Sequence, residues 1–485
     1  MAAATAAPAD ADAARLAELG YPQELQRGLR TFGNVAMGFA AISPVVGLYA
    51  VVLVGSAVAG PAWVWVLPVA LAGQCLLLAV YAELASEFPI AGGAYQWTRR
   101  LVGPAYGWFA GWVAICAYAV ANTTIAYLGA PWALTLLGIA PTPHAIVLAG
   151  VALVLLCAAL GAFGIDVLGR AVRVGIATEA IASVGIGLAL LLAFREQDFS
   201  IFTHTLGAEA TSGGSVPAGL LAALAVGGWV FIGFDACVAA AEETRDAARH
   251  VPRAIWIALL SVGSLVLLNA CAVTLAHPDP GAVVAGADAD PVTTAVVTSF
   301  GSWSSKPFAA VVLAAFVSCG VAAQALTTRA IYSVSRDGVL PGSRVLRRVG
   351  WRRTPVGALA ATTVVACLGL LLGLDSTAVG SLIAFGTAAI YVAFLLVAVA
   401  ALVARLRGTW TPAGPVRLGR WGVAINTAAV VWLTFETVNI AWPRTALAPP
   451  GAPFYQVWAA PLVLAAIGAL GLAYLVVARP QDRAG

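Results

Sequence analysis

Long apolar segments, almost free of charged residues, follow one another along this chain. A helix of about twenty apolar residues crosses the hydrocarbon core of a bilayer. Inside lipid every backbone N–H and C=O group needs an internal partner, so only helices and closed barrels can span it. Barrel strands are shorter and alternate in polarity, which these segments do not. We therefore predict an all-α integral membrane protein with 12 transmembrane helices, covering roughly 32–57, 62–84, 104–129, 144–163, 174–194, 218–241, 255–276, 307–334, 355–374, 378–403, 420–440 and 456–478.

The composition supports this class and argues against a soluble protein. Hydrophobic residues make up 61% of the chain and charged residues only 10%, whereas soluble domains carry about 25% charged residues. The surplus apolar surface needs lipid to cover it. We expect the bilayer and a small molecule as partners, and no nucleic acid.

The basic residues predict how the helices are oriented. If the N-terminus is cytosolic, 23 of the 26 Lys and Arg residues fall on the cytosolic side, and only Arg195, Lys306 and Arg444 fall outside. Cytosolic loops of membrane proteins carry such an excess of basic residues. We therefore predict a multi-pass protein of the cell (inner or plasma) membrane with both termini cytoplasmic: a tail over 1–30, a transmembrane domain over 31–478 and a tail over 479–485. Within the first tail, an amphipathic stretch from Asp12 to Leu29 is predicted to lie on the membrane surface.

Two of the helices are interrupted in the middle of the membrane. The first contains Gly38, Ser43, Pro44 and Gly47, and the sixth contains several glycines before Asp235. Five helices separate them, so the two run in opposite directions. Interrupted helices at matching positions of two inverted halves indicate the binding site of a transporter. The alternative is that Pro and Gly are simply common in membrane helices.

The broken helices predict the character of the ligand. Free N–H groups at one helix end suit a carboxylate, and free carbonyls at the opposing end suit an ammonium group. Aromatic rings nearby can cover the ligand, and a polar side chain of the third helix can complete the pocket. Packing and interhelical hydrogen bonds are the alternative roles of these side chains. The predicted substrate-binding residues are Ile42, Ser43, Val45, Val46, Gly47, Asn122, Trp229, Val230, Phe231, Gly233 and Phe234.

Three carboxylic acids lie well inside the predicted helices, away from their ends. A carboxylate in the membrane is costly unless it is paired, hydrated or protonated, so it is a functional candidate by default. Asp235, beside the break in the sixth helix, is the first candidate for binding a coupling proton, and Glu179 is the second. Glu436 ranks well behind them, and a structural hydrogen bond is the alternative for each.

The chain carries no motif for catalysis or for a cofactor. There is no Walker A sequence, no HExxH and no dinucleotide-binding glycine pattern. The seven cysteines are scattered within apolar segments, which is typical of small buried side chains. We expect no catalytic residues, no cofactor and no metal site, and therefore not an enzyme.

Several motifs resemble those of the amino acid–polyamine–organocation permease superfamily. An acidic segment with Pro, two glycines and aromatic residues runs from Ala82 to Trp97. The stretch from Gly233 to Ile255 is similar to the family's sixth helix and the loop after it, and Arg329 to Pro341 is similar to the end of its eighth helix. Asn439 to Arg444 resembles the branch that contains GABA- and choline-type permeases.

The resemblance implies a fold and a mechanism. The fold is a five-plus-five inverted repeat with discontinuous helices one and six and two additional C-terminal helices, and transport proceeds by alternating access. It also implies an inner gate of ion pairs, for which a solvated charged rim is the alternative; the gate residues are Glu83, Glu87, Glu242, Glu243 and Arg336. The chain departs from its relatives at Ser43-Pro44, where many have a glycine-rich break, and it lacks the Lys that some proton-driven relatives carry in helix five.

These features together predict a secondary active transporter. It would import an amino acid or related amine, with a GABA-like substrate favoured, by symport with H⁺ as the coupling ion. An exchanger is the alternative within transport, and a membrane sensor is the alternative from another class.

Overall fold

The computed structural model describes residues 8–350, 352–374, 379–448 and 451–483. Within these ranges the chain is helical and forms no β-strand, apart from an isolated bridge between Leu29 and Thr244. The predicted all-α class with 12 membrane-spanning helices is confirmed. By length and composition the spans are Thr31–Tyr49, Val52–Glu87, Pro104–Leu137, Pro143–Ala162, Val167–Ala193, Val216–Ala239, Ala247–Ala276, Ser302–Arg336, Val356–Leu374, Gly386–Leu406, Gly419–Ala441 and Ala459–Ala478.

Shorter helices connect the spans or lie beside them. They are Pro8–Glu18, Gly93–Leu101, Pro280–Val284, Pro291–Phe300, Ser343–Leu346 and Phe454–Val457. The tenth helix, Val379–Leu406, begins where the described residues resume, so the start of the predicted segment 378–403 lies outside them. The second span begins ten residues before its prediction, because the 3₁₀ turn Gly60–Trp65 joins Val52–Ala59 to Val66–Glu87.

The interrupted spans lie in the interior of the bundle. In the first, sixth and eighth spans, 72%, 67% and 67% of the residues in the apolar stretch are buried, against 22% in the fourth span and 11% in the twelfth. The fourth and twelfth spans therefore form part of the lipid-facing periphery. The non-helical backbone at the breaks is shielded from lipid by the surrounding spans, as non-helical backbone at membrane depth requires.

The first span breaks at Ser43. Helix Thr31–Ile42 ends there and helix Pro44–Tyr49 begins. Pro44 has no N–H to continue the hydrogen-bond ladder, and Ser43 adopts a positive φ of 47°. The Ser43 hydroxyl then caps the second half by accepting a hydrogen bond from the Val46 N–H at 3.1 Å.

The sixth span breaks over a longer stretch. Helix Val216–Gly227 tightens into the 3₁₀ turn Gly228–Phe231, becomes extended at Ile232 and resumes at Ala236–Ala239. Gly233 has φ +116°, and a Cβ there would lie 2.7 Å from the carbonyl carbon of Ala41. Glycine is thus required at the point where the two breaks cross.

One end of the bundle is here called the arginine-rich face; it carries Arg99, Arg245, Arg336 and Arg405, of which Arg99, Arg336 and Arg405 lie in the last turns of helices. The N-terminal segment packs on this face of the protein. The N–H groups of Gly28 and Leu29 donate to the Glu243 carbonyl at 3.0 and 2.9 Å, and the Arg245 N–H donates to the Leu29 carbonyl at 3.0 Å. Leu25 is fully buried. Backbone pairing and this apolar anchor bind the segment to protein, which its sequence pattern alone did not indicate.

Candidate functional site

A narrow cavity lies where the two breaks face each other. Its wall comes from five spans and is mostly aliphatic, with only a few polar groups. The lining residues are Ala41, Ile42, Val46, Tyr118, Ala121, Ile125, Trp229, Ile232, Gly233, Asp235, Cys319, Ala323, Leu326, Thr327 and Ile390. A largely apolar pocket with a few convergent polar groups is typical of small-molecule sites.

Asp235 is the acidic group of this wall. Its Oδ2 accepts a hydrogen bond from the Tyr118 hydroxyl, while its Oδ1 is buried and has no hydrogen-bond partner among the described residues. Asp235 and Tyr118 also line a second cavity, which extends past Gly93 and Val334 towards the arginine-rich face. The pair therefore forms a partition between the two spaces and leaves one carboxylate oxygen free to accept a donor.

Glu179 is joined to the break in the first span. The Ser43 hydroxyl donates to its Oε1 at 2.5 Å, and its Oε2 is buried without a partner in the described part of the chain. Glu179 ends the helix Ile165–Glu179, just before the π-helical turn Ala180–Ile186. Glu179 therefore does not line the cavity itself. Its link to the cavity is the hydrogen bond to Ser43, the residue at which the first span breaks.

The predicted substrate-binding residues divide into two groups. Ile42, Val46, Trp229 and Gly233 line the cavity, and the others lie behind its wall, namely Ser43, Val45, Gly47, Asn122, Val230, Phe231 and Phe234. Sequence reasoning missed Tyr118, which lies one helical turn before Asn122 and on the same face of the third span. That spacing was the available signal.

Several residues behind the wall have structural contacts. The Gly47 N–H donates to the Ser43 carbonyl at 2.9 Å, so this donor and that of Val46 are occupied. Phe234 packs against Tyr81 and Phe394, with ring centres 5.4 and 5.3 Å apart.

Asn122 connects the third and eighth spans. Its amide nitrogen donates to the Tyr118 carbonyl at 2.8 Å and to the Thr327 hydroxyl oxygen at 2.6 Å. Because Tyr118 and Thr327 both line the cavity, Asn122 positions two wall residues without lining it itself.

Two buried ion pairs lie at the arginine-rich face. Arg336 pairs with Glu242 at 2.8 Å, and Arg329 pairs with Glu243 at 2.6 Å. Three predicted gate residues, Glu242, Glu243 and Arg336, therefore join the sixth and eighth spans. Arg329 completes the second pair and was not among them.

The other two predicted gate residues hold a different loop. Glu83 pairs with Arg405 and accepts a hydrogen bond from the Leu418 N–H at 2.9 Å. Glu87 accepts hydrogen bonds from the Ala413 and Gly414 N–H groups at 2.6 and 2.5 Å. Both acids thus fasten the connection between spans ten and eleven to the second span.

The N-terminal segment adds further contacts at the arginine-rich face. The Tyr21 hydroxyl donates to Asp337 at 2.9 Å, and Arg99 pairs with the same carboxylate at 2.6 Å. The guanidinium carbon of Arg336 lies 3.7 Å from the centre of the Tyr21 ring. One aromatic side chain therefore covers the Arg336–Glu242 pair. In the described residues no cluster of three or more His, Cys, Asp or Glu side chains is arranged to hold a metal ion.

Comparison with known proteins gives consistent matches. The profile of the family described as "Amino acid permease" matches residues 29–468. The chain is 28% identical over 469 residues to the "Amino-acid permease BAT1 homolog" of Oryza sativa subsp. japonica, covering 90% of this chain and 88% of that protein. It is 26% identical over 480 residues to "Amino-acid permease BAT1" of Arabidopsis thaliana, covering 90% of both. It is 25% identical over 299 residues to the "Branched-chain amino acid permease BcaP" of Lactococcus lactis, covering 59% of this chain and 63% of that protein.

Proposed function

The chain belongs to the amino acid permease family, whose members are transport proteins, and from this premise we propose that it is a secondary active transporter importing a small amino acid or related amine by proton symport. The observation that carries the proposal is the meeting of two broken spans at a cavity with one unpaired carboxylate oxygen, on Asp235. Such a site sits between the two halves that move in alternating access.

The chemistry of the wall supports an orientation for the substrate. Its ammonium group donates to Oδ1 of Asp235, and its apolar body lies against Ile42, Ile125 and Ile390. The carboxylate lies towards Ser43, where the N–H groups of the short helix Pro44–Tyr49 begin. Those donors are partly occupied by Ser43 itself, so substrate binding exchanges internal hydrogen bonds for bonds to the ligand.

The coupling proton is carried by Asp235 or Glu179. Each acid has one buried oxygen without a partner, and each lies at a span break or one hydrogen bond from it. A carboxylate in a site shut off from water is favoured once it is protonated or paired with a cation. A proton on one acid and the substrate's ammonium group on the other would therefore offset both negative charges while the site is shut off from water.

We assign the arginine-rich face to the cytosol, as the distribution of basic residues indicates. The ion pairs Arg336–Glu242 and Arg329–Glu243 then act as an inner gate, closed in this conformation. In the opposite conformation these pairs separate and the cavity that extends past Gly93 becomes the exit route.

The test is uptake of labelled amino acids, including γ-aminobutyrate and choline, into proteoliposomes with and without an inward proton gradient. Gradient-stimulated uptake supports symport, and its loss in Asp235→Asn, but not in the exposed matched control Asp198→Asn, supports a role of Asp235 in the site. Uptake that ignores the gradient and requires internal substrate identifies an exchanger. Binding without uptake of any substrate in the panel identifies a sensor.

One observation favours a second substrate class beside γ-aminobutyrate. The wall carries several branched aliphatic side chains, which suits a branched-chain amino acid, and one of the similar proteins is named as a branched-chain amino acid permease. Competition between leucine and γ-aminobutyrate for the same uptake distinguishes the two. The better competitor at equal concentration identifies the class.

A further inference from the structure

A carboxylic acid remote from the cavity is buried in the membrane-spanning core. Glu436, in the eleventh span, is 0% exposed. Neither of its carboxyl oxygens has a hydrogen-bond partner among the described residues. An isolated ionised carboxylate in such surroundings is costly enough that it normally binds a proton or a cation.

The neighbouring contacts of the eleventh span show which face carries Glu436. One turn earlier, Trp432 packs so closely on the second span that a Cβ on Gly73 would lie 1.9 Å from its ring. One turn later, Asn439 donates from its amide nitrogen to the Leu221 carbonyl of the sixth span at 3.1 Å. Residues spaced by four and three share one helix face, so Glu436 points between the second and sixth spans.

A polar chain runs from this region to the sixth-span break. Tyr391 of the tenth span is within electrostatic range of Glu436. Its hydroxyl oxygen accepts from the Gln74 amide nitrogen at 2.6 Å and its O–H donates to the Gly228 carbonyl at 3.4 Å. Gly228 is the first residue of the 3₁₀ turn that opens the break. Glu436 therefore acts electrostatically on Tyr391, whose hydroxyl is bonded to the start of the sixth-span break, and Glu436 does not line the cavity.

Gln74 Oε1 is also buried without a hydrogen-bond partner in the described chain, so Gln74 and Glu436 together present three buried acceptor oxygens that receive no hydrogen bond. A proton on Glu436 turns one of its oxygens into a donor and removes the charge. The groups that act on Glu436 are Tyr391 of the tenth span and, at the end of its own span, the Asn439 amide and the positively charged Arg444. Arg444 is held by the carbonyl and side-chain oxygens of Asn439, both at 2.5 Å.

We propose that Glu436 is a second proton-binding site, separate from the substrate cavity, that is protonated in this conformation and releases its proton to water when the sixth span moves at Gly228. The reaction is a simple transfer from the carboxyl O–H to a water molecule, leaving a carboxylate and a hydronium ion. The site thereby makes the movement of the sixth span depend on pH. The role in transport rests on the proposed function, whereas the proton binding does not.

The first experiment measures proton binding without transport. Thermal unfolding of the purified full-length protein is followed at about pH 6 and about pH 9, on either side of the range in which buried carboxyls titrate. Wild type is expected to lose more stability than Glu436→Gln between the lower and the higher pH. At high pH the folded wild type must either ionise a buried carboxyl or keep a proton that the unfolded chain has released, and both lower its free energy of unfolding. The glutamine variant has no such group. Thr434→Val, on the exposed side of the same helix, is the matched control and should behave as wild type. Equal pH dependence in wild type and Glu436→Gln overturns the proposal, and so does a stabilisation by Na⁺ that Glu436→Gln abolishes.

The second experiment measures the consequence for transport. In proteoliposomes, Glu436→Gln is expected to retain substrate exchange across the membrane at equal pH while its net uptake loses dependence on external pH. Loss of exchange and net uptake together indicates a merely structural role and overturns the proposed coupling. If wild type transports nothing, the proposed function fails, and the unfolding experiment still decides whether Glu436 binds a proton.

Discussion

The Ser43 hydroxyl donates a 2.5 Å hydrogen bond to Oε1 of Glu179 and accepts one from the Val46 N–H at 3.1 Å. One side chain thus caps the second half of the first span and joins it to the fifth span. Ser43 therefore has two partners, and one of them is a membrane-buried acid.

Replacing Ser43 by Ala is expected to lower transport more than it lowers stability. The change removes a cap, which typically costs about 1 kcal/mol, and leaves both oxygens of Glu179 without a partner. We expect net proton-driven uptake to fall about tenfold or more, which corresponds to about 1.4 kcal/mol. Ser43→Thr, which keeps the hydroxyl, is the control for uptake assays in proteoliposomes. Equal uptake by the Ala and Thr variants would show that the Glu179 contact is dispensable.

The Arg329–Glu243 pair is expected to show strong coupling in a double-mutant cycle. Both side chains are buried, and removing one partner of a buried pair typically costs about 3–5 kcal/mol because the other charge is left unpaired. Arg329→Met and Glu243→Met should each destabilise the protein more than the double variant does. Thermal unfolding of all four proteins measures this, and additive effects would contradict a direct pair.

Gly233→Ala is expected to impair transport severely. The new Cβ would meet the Ala41 backbone at 2.7 Å, and φ is +116°. The contact is with backbone, which cannot move aside as a flexible side chain can, and such strain costs about 1–3 kcal/mol. Gly185→Ala is the control, since nothing lies within 4 Å of a Cβ at that position and its φ is not positive. Folding is checked by size-exclusion chromatography and transport is measured by uptake. If Gly233→Ala transports as fast as wild type, the two breaks do not cross this closely.

Tyr21→Ala is expected to loosen the N-terminal segment from the arginine-rich face. The change removes the ring beneath Arg336 and the hydroxyl that reaches Asp337. A cation–π contact alone is worth about 0.5–2 kcal/mol. Amide hydrogen exchange at Gly28 and Leu29, whose N–H groups bond to the Glu243 carbonyl, should therefore accelerate.

Two further variants separate the contributions of Tyr21. Tyr21→Phe keeps the ring and should give an intermediate rate of exchange. Tyr455→Ala removes a tyrosine that is 62% exposed and should leave exchange at Gly28 and Leu29 unchanged. Unaltered exchange in Tyr21→Ala would show that the backbone bonds alone hold the segment.

The sequence predicted the membrane class because hydrophobicity and helix length are properties of a contiguous segment. It also located both breaks, since Pro44 and the glycines before Asp235 act on their own backbone. Asp235 could be selected as a candidate from its position alone, because a carboxylate at membrane depth is costly in any helical packing.

Only the tertiary structure decided which side chains meet. Tyr118 and Asp235 lie 117 residues apart, and nothing local to either residue indicates that they share a hydrogen bond. The same holds for Tyr21 beneath Arg336 and for Glu83 beside Arg405. A helix pattern fixes which residues share a face of one helix, whereas the rotation and depth of each helix in the bundle are set by packing against its neighbours. The pairings of this protein arise from that packing.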